Sequence, residues 1–152
     1  MPQVGFGNAG VHIPHALGYP IAGLVRDYVP SGYRTSHALV PHGVSVVLAA
    51  PATFRFTYAT SPERHLRAAE LMGVPTAGLS DREAREALPN ALLALVRDIG
   101  IPNGLTALGY AERDIPALVD GTLEQPRLLS GSPRTVGATE LAAILHDSLR
   151  FW

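Results

Sequence analysis

The stretch SDREAREALPNALLALVRDIGIP, residues 80–102, decides the fold class. It opens on Ser80-Asp81-Arg82-Glu83. In that pattern a serine hydroxyl accepts the backbone N–H three residues on, and the glutamate reaches back to the serine N–H. Apolar residues then recur at Ala84, Ala87, Leu88, Ala91, Leu92, Leu95, Val96 and Ile99, the three-and-four spacing of one helix face. Gly100-Ile101-Pro102 stops the run. Pro89 falls inside it and is expected on the exposed side or at a bend.

Working outward, the neighbouring segments also read as helices. A first helix is expected over about 10–29, made irregular by Pro14 and Pro20. Pro30-Ser31-Gly32-Tyr33 signals a turn, and a loop runs to Pro41. A second helix is expected over about 42–58 with a kink at Pro51. Ser61 and Pro62 suit the N-cap and first helical position of a third, with Leu66, Ala69 and Leu71/Met72 inward and Gly73 as its stop. Asp114 is the expected cap of a fifth helix carrying Ile115, Leu118, Val119 and Leu123. A loop over 124–137 precedes a last helix over about 138–151. No hairpin signal with alternating flanks accompanies Asn103-Gly104. The expected class is all-α, in one domain over residues 1–152.

Composition narrows the chemistry. The chain has 152 residues, 47% of them apolar and 16% charged, with a net charge of −1. That balance fits a globular core and gives no electrostatic reason to expect nucleic acid or an anionic membrane as a partner. There is no cysteine, which excludes disulfides, thiolate nucleophiles and cysteine-held metals. All 12 basic residues are arginine, so lysine Schiff bases and lysine general bases are excluded as well. No signal-like leader stands at Met1–Gly5 and no long uncharged apolar run is present. A cytoplasmic location with no membrane segment is therefore expected.

Gly5-Phe6-Gly7-Asn8-Ala9-Gly10 matches G-x-G-x-x-G, and Asp27 stands near the place of a ribose-binding acid. The motif works only where a strand feeds it within a βαβ unit, and four residues before Gly5 are too few. It is therefore expected to bind no cofactor. Among the histidines, His65 lies in a charged stretch, His146 beside Asp147 and His37 in a loop, and all three are expected to be solvated. His12 and His15 are three apart, and His42 opens a helix behind Pro41. Neutral imidazoles from adjacent helix starts suit a divalent metal, but on spacing alone satisfied or surface histidines are the favoured reading.

The segments Gly10-Val11-His12-Ile13-Pro14-His15-Ala16-Leu17-Gly18-Tyr19-Pro20-Ile21 and Pro41-His42-Gly43-Val44 resemble the metal-binding signature of the iron-containing alcohol dehydrogenases. Ser61-Pro62-Glu63-Arg64-His65, Asp98-Ile99-Gly100-Ile101-Pro102 and Asp114-Ile115-Pro116-Ala117-Leu118 extend the likeness along the chain. Val11-His12 with Tyr19-Pro20-Ile21, and the insertion over 26–40, are most similar to the hydroxyacid-oxoacid transhydrogenase branch.

The resemblance implies the C-terminal helical domain of the dehydroquinate synthase-like fold. It implies a divalent metal, iron or zinc, with His15 and His42 as the third and fourth of its one Asp and three His ligands. The other two ligands and the NAD(P)-binding loop belong to a part absent here, an N-terminal nucleotide-binding domain or a separate partner chain. Many relatives carry a second histidine where Tyr19 stands, so Tyr19 and His12 are the candidate pocket residues and no catalytic residue is assigned. The implied chemistry is oxidation at a CH–OH group of an alcohol or hydroxy acid such as 4-hydroxybutyrate. Arg26, Arg34 and Arg55 are the nearest arginines for a substrate carboxylate. The fragment alone is expected to be inactive, and the likeness leaves room for a homo-oligomer. The other reading is a non-catalytic helical interaction module from a truncated gene.

Overall fold

The computed structural model describes residues 10–152. Every regular element among them is helical, with no strand. We label the α-helices α1 (Ile13–Gly23), α2 (His42–Val47), α3 (Ala50–Thr57), α4 (Pro62–Leu71), α5 (Asp81–Asp98), α6 (Ile115–Leu123), α7 (Pro126–Leu129) and α8 (Ala138–Asp147). Short 3-10 turns occupy Tyr58–Thr60, Leu105–Leu108 and Glu112–Asp114. The Gly5-Gly7 part of the glycine motif lies outside the described residues.

The decisive stretch forms α5 with its capping box intact: Ser80 Oγ accepts from the Glu83 N–H and Glu83 Oε2 accepts from the Ser80 N–H. One detail differs. Pro89 is buried inside the helix rather than on its solvent face, and α5 packs against α3 and α4. The outer positions Leu95 and Ile99 are exposed.

Prolines set most other boundaries. The expected helix over 42–58 is two helices, not one kinked helix. Pro51 has no N–H to give the Val47 carbonyl and its ring crowds that carbonyl, so α2 ends at Val47 and Pro51 stands in the first turn of α3. The first helix is shorter than expected. Pro14 suits its first turn, and α1 ends at Gly23, where the Leu24 N–H donates to the Pro20 carbonyl. In α4, Ser61 stands at the cap position but its hydroxyl makes no cap bond. Leu71 is 72% exposed, so only Leu66 and Ala69 of the expected inward set pack against the interior. Asp114 is the N-cap residue of α6, yet its carboxylate serves the Ala111 N–H at 2.8 Å and Arg26 at 2.6 Å. The expected loop over 124–137 contains α7, and the last helix ends at Asp147 rather than near Phe151.

The main core is built around α1. Ile13, Leu17 and Ile21 are wholly buried, against Leu48, Leu105, Leu118, Leu141 and Leu145. Helix α1 packs on α2, α6 and α7, and α8 closes on α6 and α3. A second, smaller cluster of Ala69, Ala87 and Leu88 joins α4 to α5. Tyr110 ties the loop after α5 to α1, its hydroxyl donating to the Ile21 carbonyl at 2.7 Å.

Candidate metal centre

Helix α1 exposes one edge where it meets the start of α2. The contact is close because residue 18 is glycine: a Cβ there would lie 3.1 Å from Val46 Cγ2 and 3.2 Å from Ser45 Oγ. Ser45 is itself buried and its hydroxyl donates to the His42 carbonyl at 2.9 Å, which fixes the first turn of α2. One turn before Gly18 stands His15. The packing thus brings His15 and His42 together, with ring centroids 5.4 Å apart and planes inclined at 61°.

Both rings line a cavity of about 510 Å³, together with Tyr19, Arg127, Ser130 and Gly131. Tyr19, one turn along α1 from His15, is 56% exposed. A larger hollow between α5 and the connection that precedes it is lined by Val74, Leu79, Arg82, Glu86 and Asn90 and holds none of the candidate residues.

Burial, and then the neighbouring His42, lower the His15 pKa below the ordinary imidazole value. The uncharged ring is the form that binds a metal. A metal about 2.0–2.1 Å from one nitrogen of each ring would set the two centroids roughly 5–6 Å apart. Two imidazole nitrogen donors at the observed separation therefore fit a divalent ion such as iron or zinc. No group of three His, Cys, Asp or Glu able to hold a metal occurs among the described residues.

His12 is not among the residues lining this cavity. It is the N-cap residue of α1, its Nδ1 is buried without a hydrogen-bond partner among the described residues, and its pKa is lowered by burial first and then by His15 and His65. His65 is half-buried rather than solvated. Its Nδ1 lies 2.9 Å from the Ser61 carbonyl, Nε2 lies 3.1 Å from Thr57 Oγ1, and the ring stands edge-on to Phe54 and Tyr58. His37 and His146 are exposed.

The three arginines nearest the signature in sequence do not line the cavity. Arg26 is paired to Asp114 and Arg55 to Glu86, each at 2.6 Å, and Arg34 is exposed in the loop before α2. The arginine that lines the cavity is Arg127, on α7, which proximity in sequence to the signature passed over. The signal available was Pro126 at a helix-start position inside a segment read as loop.

Comparison with known proteins bears on the family and the fold. Residues 1–149 match the model of the Fe-containing alcohol dehydrogenase family, C-terminal. The mitochondrial hydroxyacid-oxoacid transhydrogenase of Xenopus laevis is 47% identical over 149 residues, and that of Homo sapiens 44%. In each case 98% of this chain matches 32% of the relative, so the chain spans about a third of their length. Among solved structures, a 1,3-propanediol oxidoreductase superposes with a TM-score of 0.73 at 31% identity, over 89% of this chain and 32% of that one. An alcohol dehydrogenase from Oenococcus oeni gives 0.78 at 26% identity, over 94% and 34%.

The relatives correct the cytoplasmic expectation, since they are named as mitochondrial proteins. That expectation rested on the absence of a leader, which carries no weight for a chain matching a third of its relatives. No helix among the described residues is long and apolar enough to cross a membrane.

Proposed function

The chain belongs to the iron-containing alcohol dehydrogenase family, as its C-terminal helical part, and on that premise we propose that it supplies half of the metal site of an NAD(P)-linked hydroxy-acid dehydrogenase of the transhydrogenase kind. The observation that carries the reading is the meeting of His15 and His42, 5.4 Å between ring centroids, from two helices at one cavity. His15 and His42 would hold the metal. The remaining ligands and the NAD(P) site would come from a nucleotide-binding domain, in the same polypeptide or a partner chain. When bound, the metal supplies Lewis acidity toward an alcohol oxygen.

The chain's own residues do the positioning. The Ser45 bond to the His42 carbonyl and the close Gly18 contact hold the two rings to a fixed separation, so little reorganisation is needed on binding. Burial lowers the His15 pKa and so favours the uncharged ring, the form that binds a metal. Tyr19 offers a hydroxyl at the rim, able to accept or donate one hydrogen bond to a substrate oxygen or a water. It stands where many relatives carry a histidine, so a proton relay through that position is not part of the proposal.

The test is the metal content of the longer protein that contains this chain. His15→Ala and His42→Ala should each remove the metal and the dehydrogenase activity together, and leave the far-UV circular dichroism of the domain unchanged. Retention of full metal by both variants would overturn the reading. The 152-residue chain by itself should show neither activity nor saturable NAD binding in calorimetric titration.

A further inference from the structure

The cavity that joins His15 to His42 has a third side, formed by α7 and the turn after it, and that side is cationic. Among the described residues lining the cavity, Arg127 is the one with a permanent charge, and no carboxylate lines it. Arg26 and Arg55 are engaged by Asp114 and Glu86, whereas Arg127 forms no ion pair with any described residue. A guanidinium without a protein anion, lining the same cavity as the two imidazoles, is suited to a ligand that brings its own carboxylate.

The platform under Arg127 is well fixed. Leu128 is buried beside it, and Ser130 Oγ donates to the Arg127 carbonyl at 2.9 Å. The turn closes through the Ser130 N–H to the Pro126 carbonyl and the Gly131 N–H to the Leu128 carbonyl. Gly131 then seats the turn against the entry to α1: a Cβ there would lie 3.2 Å from the Val11 carbonyl oxygen and 3.8 Å from His12 Cβ. The residue that seats α7 thus lies against the segment leading directly into His15. The guanidinium and the imidazoles are carried by packed elements, not by independent loops.

From this we infer that Arg127 is the specificity-determining residue of the site: it binds the carboxylate of a hydroxy acid whose hydroxyl end lies at His15 and His42. The inference rests on the reading of that cavity as the substrate end of a metal centre. It separates hydroxy acids from neutral alcohols of the same length, which have no group for Arg127 to pair with.

The experiment is a titration of the 152-residue chain, followed by ¹H–¹⁵N NMR at the Arg127 side-chain Nε–H and the Ser130 and Gly131 amides. The probes are 4-hydroxybutyrate and 1-butanol, the second lacking only the carboxylate and its charge. The acid should give saturable shifts at all three positions and butanol none. Arg127→Gln should weaken binding of the acid by about tenfold or more, and Arg127→Lys by less, since lysine keeps the charge and loses the fork. Overlaid spectra away from α7 serve as the folding control. The assignment is overturned if Arg127→Gln binds the acid as the unaltered chain does, if butanol binds equally well, or if the acid gives no saturable shift. A separate titration with zinc chloride distinguishes the two readings. If zinc leaves the His15 and His42 resonances unmoved, the metal reading fails, while the metal-free titration still decides Arg127.

Discussion

Helices α1 and α5 are opposites. Helix α5 has 18 residues, a complete capping box and an uninterrupted apolar face, and it lines none of the cavity that holds His15 and His42. Helix α1 has 11 residues, two prolines and no side-chain cap, and it carries His15 and Tyr19 while anchoring the main core. Local sequence strength and the candidate site fall on different helices. A helix that stands on its own signals, like α5, needs little from its neighbours. Helix α1 is held by burial of Ile13, Leu17 and Ile21 and by what surrounds them. That is why its outer edge is fixed well enough to present a site.

If this contrast is right, truncating α1 should cost more than truncating α5. Leu17→Ala, at a wholly buried position in the main core, should lose about 3–5 kcal/mol. Leu88→Ala, in the smaller cluster, should lose about 2–3 kcal/mol, because its partly exposed neighbours can close on the space. Urea unfolding of both variants compares them, and equal losses would break the contrast.

The tie between Tyr110 and α1 gives the next largest effect. Burial pushes the Tyr110 phenol up to about 12 from an ordinary value of 10.0. The folded state therefore favours the neutral phenol. The associated stability is complete below pH 10 and is lost as pH rises from 10 toward 12, in total roughly 2–3 kcal/mol. Burial raises the Tyr28 phenol as well, so absorbance titration at 295 nm should show late titration that is reduced by one tyrosine, the component near pH 12, in Tyr110→Phe. Loss of its hydrogen bond to the Ile21 carbonyl should itself cost about 1 kcal/mol.

On the α5 side, Ser80→Ala removes the cap and should cost about 1 kcal/mol, with fraying confined to the first turn in amide exchange. A loss as large as that of Leu17→Ala would mean that α5 depends on its cap more than on its packing.

What was legible in the sequence follows the same division. The helical class, the α5 boundaries and the stop at Gly73 came from local signals that operate without tertiary help. Where packing overrides them, the reading failed. Pro89 is buried inside a helix that packs against α3 and α4, and Leu71 is exposed because α4 turns that side to solvent. Pro51 divides a helix that periodicity runs together. For the site, the motif around His15 and His42 named both rings. His12 was brought in by its spacing of three, but it lies at the α1 N-cap with its Nδ1 buried. Arg127 was missed because it lies 85 positions beyond His42, in a segment read as loop, and only the seating of α7 on α1 brings it to the same cavity.

The central claim is that His15 and His42 act together on one metal ion. Its most direct test is a zinc chloride titration of the 152-residue chain at neutral pH, followed through the imidazole ¹⁵N resonances of all six histidines. His15 and His42 should shift together with one shared dissociation constant, and the other four should stay where they are. Binding should weaken as pH falls, because protons compete for the same nitrogens, and it should be lost in either His→Ala variant. Independent shifts of His15 and His42 with different constants, or binding that survives His42→Ala, would contradict the account.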